Sequence, residues 1–553
     1  MTARQRRFWW AAGLLGTLAA GVTIAYLWVT QSQSGRQWVL ATLVETIDGG
    51  FKGRGHLRVG ALREIGWNRL VLDSVSIVDT AGVAVLHVEH ATGSLDIEAL
   101  FSRVIHVRSL DLDGLRLDLH KDAIGPWNIA YIISGPPSTT PKGPPGFGDD
   151  IRIDVLRISR GAITTIAPWA PHPIFVGSAR DSVIAVRDSL HDLIRTPTTM
   201  FERRRIAIDR AVSHDGIIMR PDRQPSSLVL DSLRGQISDP AVRITGAAGT
   251  LRWTPDSLRL TLPTVALPAS TGSANGVVWW HQPGAVRYDV SINTRAGLSD
   301  LTWIWDVLPA TGGGTATVRM RTLESADDAQ YDLSALDVSS MGSHITGKIS
   351  VIAKPAQLLL SGIDLTFAPL RADLMRRLSY EALPPEVQGT FEGRLVAAAG
   401  GPLTDFLIDR LDARFIDATV PGAVSSLRAA GRVTMGSAPA ARRLVVEAFD
   451  ADLRSVRALA PTLPPIDGRA TGRGTIVAAD LKIADLNDLV LVWTDADGNR
   501  SSITGSARIG YGLSVPTVRA DLLLDPISMR AFARLDTTLA IRSSYAGRVT
   551  ADG

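Results

Sequence analysis

The chain has 553 residues, and its 58 Lys and Arg nearly balance 55 Asp and Glu. A surface that evenly charged argues against nucleic acid as a partner. With no cysteine in the sequence, disulfide staples, thiolate nucleophiles and Cys-ligated metals are all excluded.

Residues 8–29, FWWAAGLLGTLAAGVTIAYLWV, carry no charge over 22 positions. As a helix they span about 33 Å, enough for a bilayer core. Phe8, Trp9 and Trp10 sit at one end and Tyr26 and Trp28 at the other, where aromatic rings favour the membrane interface. The exit, WVTQSQSG, lacks a small-x-small cleavage site, so the span reads as a retained anchor. Arg4, Arg6 and Arg7 precede it and only Arg36 closely follows. The positive-inside rule then makes this a single-pass membrane protein with a cytoplasmic N-terminus, its bulk on the far side.

Residues 1–30 are thus tail and anchor. Residues 31–133 follow as a first β region, opened by Val39, Leu40, Leu43, Val44 and Ile47 at the spacing of a short amphipathic helix. GGFKGRG, 49–55, lacks the ending of a phosphate-binding loop and reads as a flexible connector. Beyond it the period changes to two: Leu115, Leu117 and Leu119 alternate with Arg116, Asp118 and His120. Ile151 and Ile153, Leu258 and Leu260, and Val290 and Ile292 continue the pattern, with Arg152, Arg259, Asp289 and Ser291 between or beside them. Strands with one apolar and one charged face belong to antiparallel sheets. In HVEH, 87–90, strand alternation puts His87 and Glu89 on one side and His90 on the other, so one metal could not collect all three. SGPPSTTPKGPPGFGDD, 134–150, is a Pro/Gly-rich loop, and residues 151–553 form a repeated region.

That region repeats itself. LPATGGGTATVRM begins at Leu308, LPPEVQGTFEGRLVAA at Leu383 and LPPIDGRATGRGTIVAA at Leu463, a period of 75 to 80 residues. Helical spacing precedes each copy, predicting helices near 298–308, 370–383 and 452–463 that stop at Leu-Pro, since proline cannot donate its amide. DADGN, 495–499, lacks the closing glutamate of a calcium loop and reads as a hairpin turn. No G-x-S-x-G or H-E-x-x-H occurs, so neither a catalytic constellation nor a cofactor is expected.

The fold class expected is therefore mainly β, with an N-terminal transmembrane helix and an elongated, curled antiparallel sheet built from repeats with short interspersed helices. Such a sheet must hide its apolar side or curl around something that is not protein. The second choice makes a trough whose lining would include Leu115, Leu117, Leu119, Ile151, Ile153, Leu258, Leu260, Val290 and Ile292.

The order of these features resembles the AsmA-like superfamily, its TamB branch in particular. Ser34, Gly35, Arg36 and Trp38 after the anchor, Asp79 and Gly82 in a turn, and Gly125, Trp127 and Asn128 closing a strand carry the resemblance. It implies a periplasmic, taco-shaped β-groove anchored in the inner membrane of a Gram-negative bacterium. It also implies membrane lipids as partners, moved toward the outer membrane, or an outer-membrane barrel partner of TamA type in protein assembly. TamB-type chains run longer, so a chain ending in AGRVTADG reads as a piece or a shorter relative. A periplasmic hydrolase on a β scaffold is the third class; it would need paired carboxylates or a nucleophile in a pocket.

Overall fold

The computed structural model describes residue 28 and most of residues 31–552, apart from connecting stretches such as 135–150 and 529–542. Apart from Trp28, the expected anchor, with Phe8, Trp9, Trp10 and Tyr26, lies outside the described residues, and Gly125 does too. Among the described residues no helix is long and apolar enough to cross a membrane. The chain is mainly β and divides into two units, Met1–Pro268 with Ser273–Gln282, and Ala269–Gly272 with Pro283–Gly553.

The first unit contains α1 (Gln33–Phe51), β1 (Gly55–Ile65), β2 (Arg69–Asp79), β3 (Ala84–Leu95), β4 (Ile105–Asp113), β5 (Arg116–His120), α2 (Asn128–Ser134) and β6 (Ile151–Trp169). Then come α3 (Gly177–Leu190), β7 (Asp192–Arg195), β8 (Met200–His214), β9 (Ile217–Met219), β10 (Ser226–Ser238), β11 (Ala241–Trp253), β12 (Ser257–Ala266) and most of β13 (Thr271–Trp279).

α1 is longer than its apolar spacing suggests. Ser32 caps it by accepting from the Gly35 amide at 2.9 Å, and it runs on through Gly49 to Phe51. GGFKGRG is therefore no flexible connector: Phe51 is buried with Leu57, Val85 and Ile132 against Leu43, Val44 and Ile47, and that burial holds the last turn. Asp48 then accepts from the Leu57 amide at 2.5 Å and from His56, tying helix to first strand. Trp38 stays 58% exposed, its ring 6.3 Å from that of Trp28.

Most pairings are antiparallel, but β6 runs parallel to both β4 and β5. The stretch through α2 and residues 135–150 is long enough for the crossover that a parallel pair requires. The 87–90 expectation also changes. Ser74 takes a left-handed φ of +52° in β2, and His90 turns to Asp73 at 2.7 Å. Glu89 meets Arg116 and Arg160, and Arg160 in turn holds Asp113. Glu89 and His90 thus both turn outward, with Val88 and Ala91 on either side buried.

The second unit contains β14 (Arg287–Gly297), a 3-10 turn (Leu298–Leu301), β15 (Gly313–Thr322), β16 (Ala329–Ser340), β17 (Ser343–Lys354), β18 (Gln357–Arg371), α4 (Ala372–Leu378), β19 (Gly389–Pro402), β20 (Asp405–Asp417), β21 (Val424–Thr434) and β22 (Ala440–Asp452). α5 (Leu453–Leu459), β23 (Arg469–Asp480), β24 (Ile483–Thr494), β25 (Arg500–Gly510), β26 (Thr517–Ser528) and β27 (Ser544–Asp552) complete it. Each strand pairs antiparallel with the next from β14 to β27.

The sequence period is four strands and a helical connection. The helices are shorter than the apolar spacing predicts because the ladder claims their first residues: Leu370 and Arg371 pair with Phe391 and Thr390 as strand. The connections at one end of the sheet alternate between these helical segments and tight turns at Met341–Gly342, Asp417–Ala423 and Asp495–Asn499. In the DADGN turn Asp495 Oδ1 accepts from the amides of Asp497 and Asn499 at 3.0 and 2.8 Å. Its carboxylate thus serves as a local turn cap.

Candidate functional site

Cross-strand register decides what stands side by side on a sheet face. In the second unit Ile292 lies opposite Val318, Val318 opposite Leu333, Leu333 opposite Ile349, and Ile349 opposite Ile363. The row continues through Ala397, Ile408, Gly431 and Leu444. It ends through Ile476, Leu486, Ala507, Ala520 and Ala551. One apolar line therefore crosses every strand from β14 to β27, thirteen steps that at about 4.8 Å each make about 62 Å.

Most of the large side chains on this line are half-buried, Ile292, Val318, Leu333, Ile349 and Ile363 among them. They touch their strand neighbours while the helical segments sit at the strand ends. The clusters of fully buried hydrophobics, around Phe51 and Ile132 and around Val88 and Leu115, lie in the first unit.

The other face of the second unit is a lattice of ion pairs. Arg319 donates to Asp289 at 2.8 Å, Arg394 to Asp364 at 2.8 Å and Arg548 to Asp521 at 2.5 Å. These guanidiniums hold the carboxyls of Asp289, Asp364 and Asp521 below the usual aspartate range. Pairs so exposed stabilise the fold little. They do keep this face wet.

The nine residues expected to line a trough fall into two sets. Val290 and Ile292 stand in the second unit opposite Met320 and Val318. In the first unit Leu117 lies opposite Leu86 and Ile163, Leu119 opposite Thr165, Leu258 opposite Trp253 and Leu260 opposite Leu251. Ile151 lies opposite Ile105 and Met219. Leu115 and Ile153, 7% and 8% exposed, are already enclosed by protein and have the least surface to offer a ligand.

Alternation carried no sign of a brace that recurs with the repeat. The hydroxyls of Ser270, Ser343, Ser425 and Ser501 accept from the amides of Gly297, Arg371, Asp452 and Ser528 at 2.9 to 3.0 Å. Each closes the strand that leads into a helical connection or its counterpart. The readable signal was a serine returning once per period, as in SHITG at 343 and SSITG at 501. Among the described residues no group of His, Asp and Glu could hold a metal ion. The chain matches no family model, no curated protein and no solved structure.

Proposed function

We propose that this protein is an inner-membrane-anchored relative of the AsmA-like group whose aliphatic sheet face carries phospholipid acyl chains through the periplasm toward the outer membrane. The observation behind this reading is the unbroken apolar line from Ile292 to Ala551, its large side chains mostly half-buried and backed by charge on the reverse face. Each methylene laid on such a floor gains about 0.8 kcal/mol. A lining of Val, Leu, Ile and Ala holds two chains firmly without fixing their position. A second reading, a scaffold for assembling outer-membrane barrels with a TamA-like partner, rests on long antiparallel strands able to template others.

Photo-crosslinkers separate the two. Placed at Leu117, Leu260 or Val290 they should capture lipid in cells, and placed at Arg116, Arg259 or Asp289 they should not. Leu117→Asp combined with Leu260→Asp should fold yet fail to support outer-membrane integrity, because acyl chains would have to pass a desolvated charge. Equal crosslinking on both faces, or full activity of that folded double variant, would overturn the lipid reading in favour of the scaffold.

A further inference from the structure

The wet face of the second unit contains a hollow that the lipid reading does not use. Strand β24 bulges around Asp488: Asn487 and Asp488 together oppose Ser506 on β25, and Asp488 and Leu489 together oppose Gly474 on β23. Asp488 adopts a left-handed φ of +51° there, and Gly474 and Gly505 flank it on β23 and β25. Over this bulge lies a solvent-open hollow of about 1110 Å³, lined also by Glu447, Arg473 and Thr504.

Comparison with the other repeats isolates what is particular to this one. The equivalent strands β16 and β20 bulge at the same place, at Ser334–Ala335 and Asp409–Arg410. There the chain supplies partners: Ser334 Oγ donates to the Thr317 carbonyl and Arg410 pairs with Asp412. In the third repeat the exposed side chains of Asn487, Asp488, Arg473 and Glu447 make no hydrogen bond or ion pair with any described residue. A strained backbone that presents unpartnered polar groups to a cavity is how binding sites are commonly built.

We propose that this hollow binds a neutral oligosaccharide, independently of what occupies the opposite face. Charge argues against an anion: Asp521 is neutralised by Arg548, leaving Glu447 and Asp488 against Arg473, a net of minus one. A hydroxyl-rich ligand fits the remainder. Carboxylates accept from neighbouring hydroxyls, Arg473 and the Asn487 amide donate to ring and hydroxyl oxygens, and Val445, Val490 and Leu523 offer apolar surface to C–H faces of the sugar rings. The volume, about 1110 Å³, lies just above the range of small-molecule clefts, which run to about 1,000 Å³, so it suits several sugar units.

Titration calorimetry and saturation-transfer NMR on the full chain, with maltotetraose, cellotetraose and chitotetraose as probes, would test this. At least one should bind with Kd below about 1 mM. Asp488→Asn keeps a residue that tolerates left-handed φ and should weaken binding about tenfold, as loss of charge-assisted hydrogen bonds does. Arg473→Ala, which touches no pairing within the fold, should weaken it similarly, while lipid crosslinking at Val290 stays as in the parent. Binding of none of the three, equal binding by both folded variants, or preferential binding of inorganic phosphate or spermidine would overturn the proposal.

Discussion

Asp113 accepts from Arg160 at 2.5 Å and from Ser159 Oγ at 2.9 Å, and these bonds lower its carboxyl from 3.8 to about 2. A carboxyl depressed in the fold stabilises it above the unfolded value and loses that contribution as pH falls through the folded one. The window is therefore pH 3.8 down to about 2. Urea melts should find Asp113→Asn less stable than the parent at pH 5, with the gap closing toward pH 2; a gap independent of pH would refute the linkage. At Ser501 the stake is burial. It is 1% exposed and the Ser528 whose amide it accepts is 8% exposed, so Ser501→Ala orphans a buried donor. Denaturation should show a loss of about 1–3 kcal/mol. Such residues were poorly legible in advance, because a lone serine in a strand looks the same whether or not a distant amide reaches it.

Strands of the second unit repeatedly carry a glycine where the neighbouring backbone comes close. Gly393 has φ of +148°, and a Cβ there would lie 1.9 Å from the Asp412 carbonyl oxygen. Gly393→Ala must move β19 against β20 and should cost about 1–3 kcal/mol by chemical denaturation, whereas an alanine at Gly422, where nothing approaches, meets only an unfavourable φ. The Gly after each Leu-Pro stop was visible in the repeat; its reason, a carbonyl of the neighbouring strand such as Asp412 for Gly393 or Ile416 for Gly389, was not. The helical connections show the same division. Their existence follows from apolar spacing and the proline stop, but their length was decided by ladder bonds that took residues such as Leu370 into strand. α4 also reaches backward: Arg377 donates to the carbonyls of Val307 and Leu308 at 2.6 and 3.2 Å, clamping it to the preceding connection.

Within the second unit each strand bonds only to its neighbours, so damage should spread only locally. Leu444 stands between Gly431 and Ile476 on the apolar line. Leu444→Asp should raise amide hydrogen exchange in β21 to β24 and leave β15 to β17 protected; exchange rising uniformly through the unit would contradict a nearest-neighbour fold. The mainly β class, a repeat of strands broken by a helical segment, and the two-faced character of each strand could be read from the chain alone, because alternation, proline and glycine act over a few residues. Tertiary structure alone decided which side chains share a face across strands, that β6 runs parallel to β4 and β5, that Phe51 locks α1, and that the third repeat leaves the side chains of Asn487 and Asp488 without partners among the described residues. Those outcomes depend on register and on groups brought together from distant positions, and a one-residue slip in register would have sent every side chain to the opposite face.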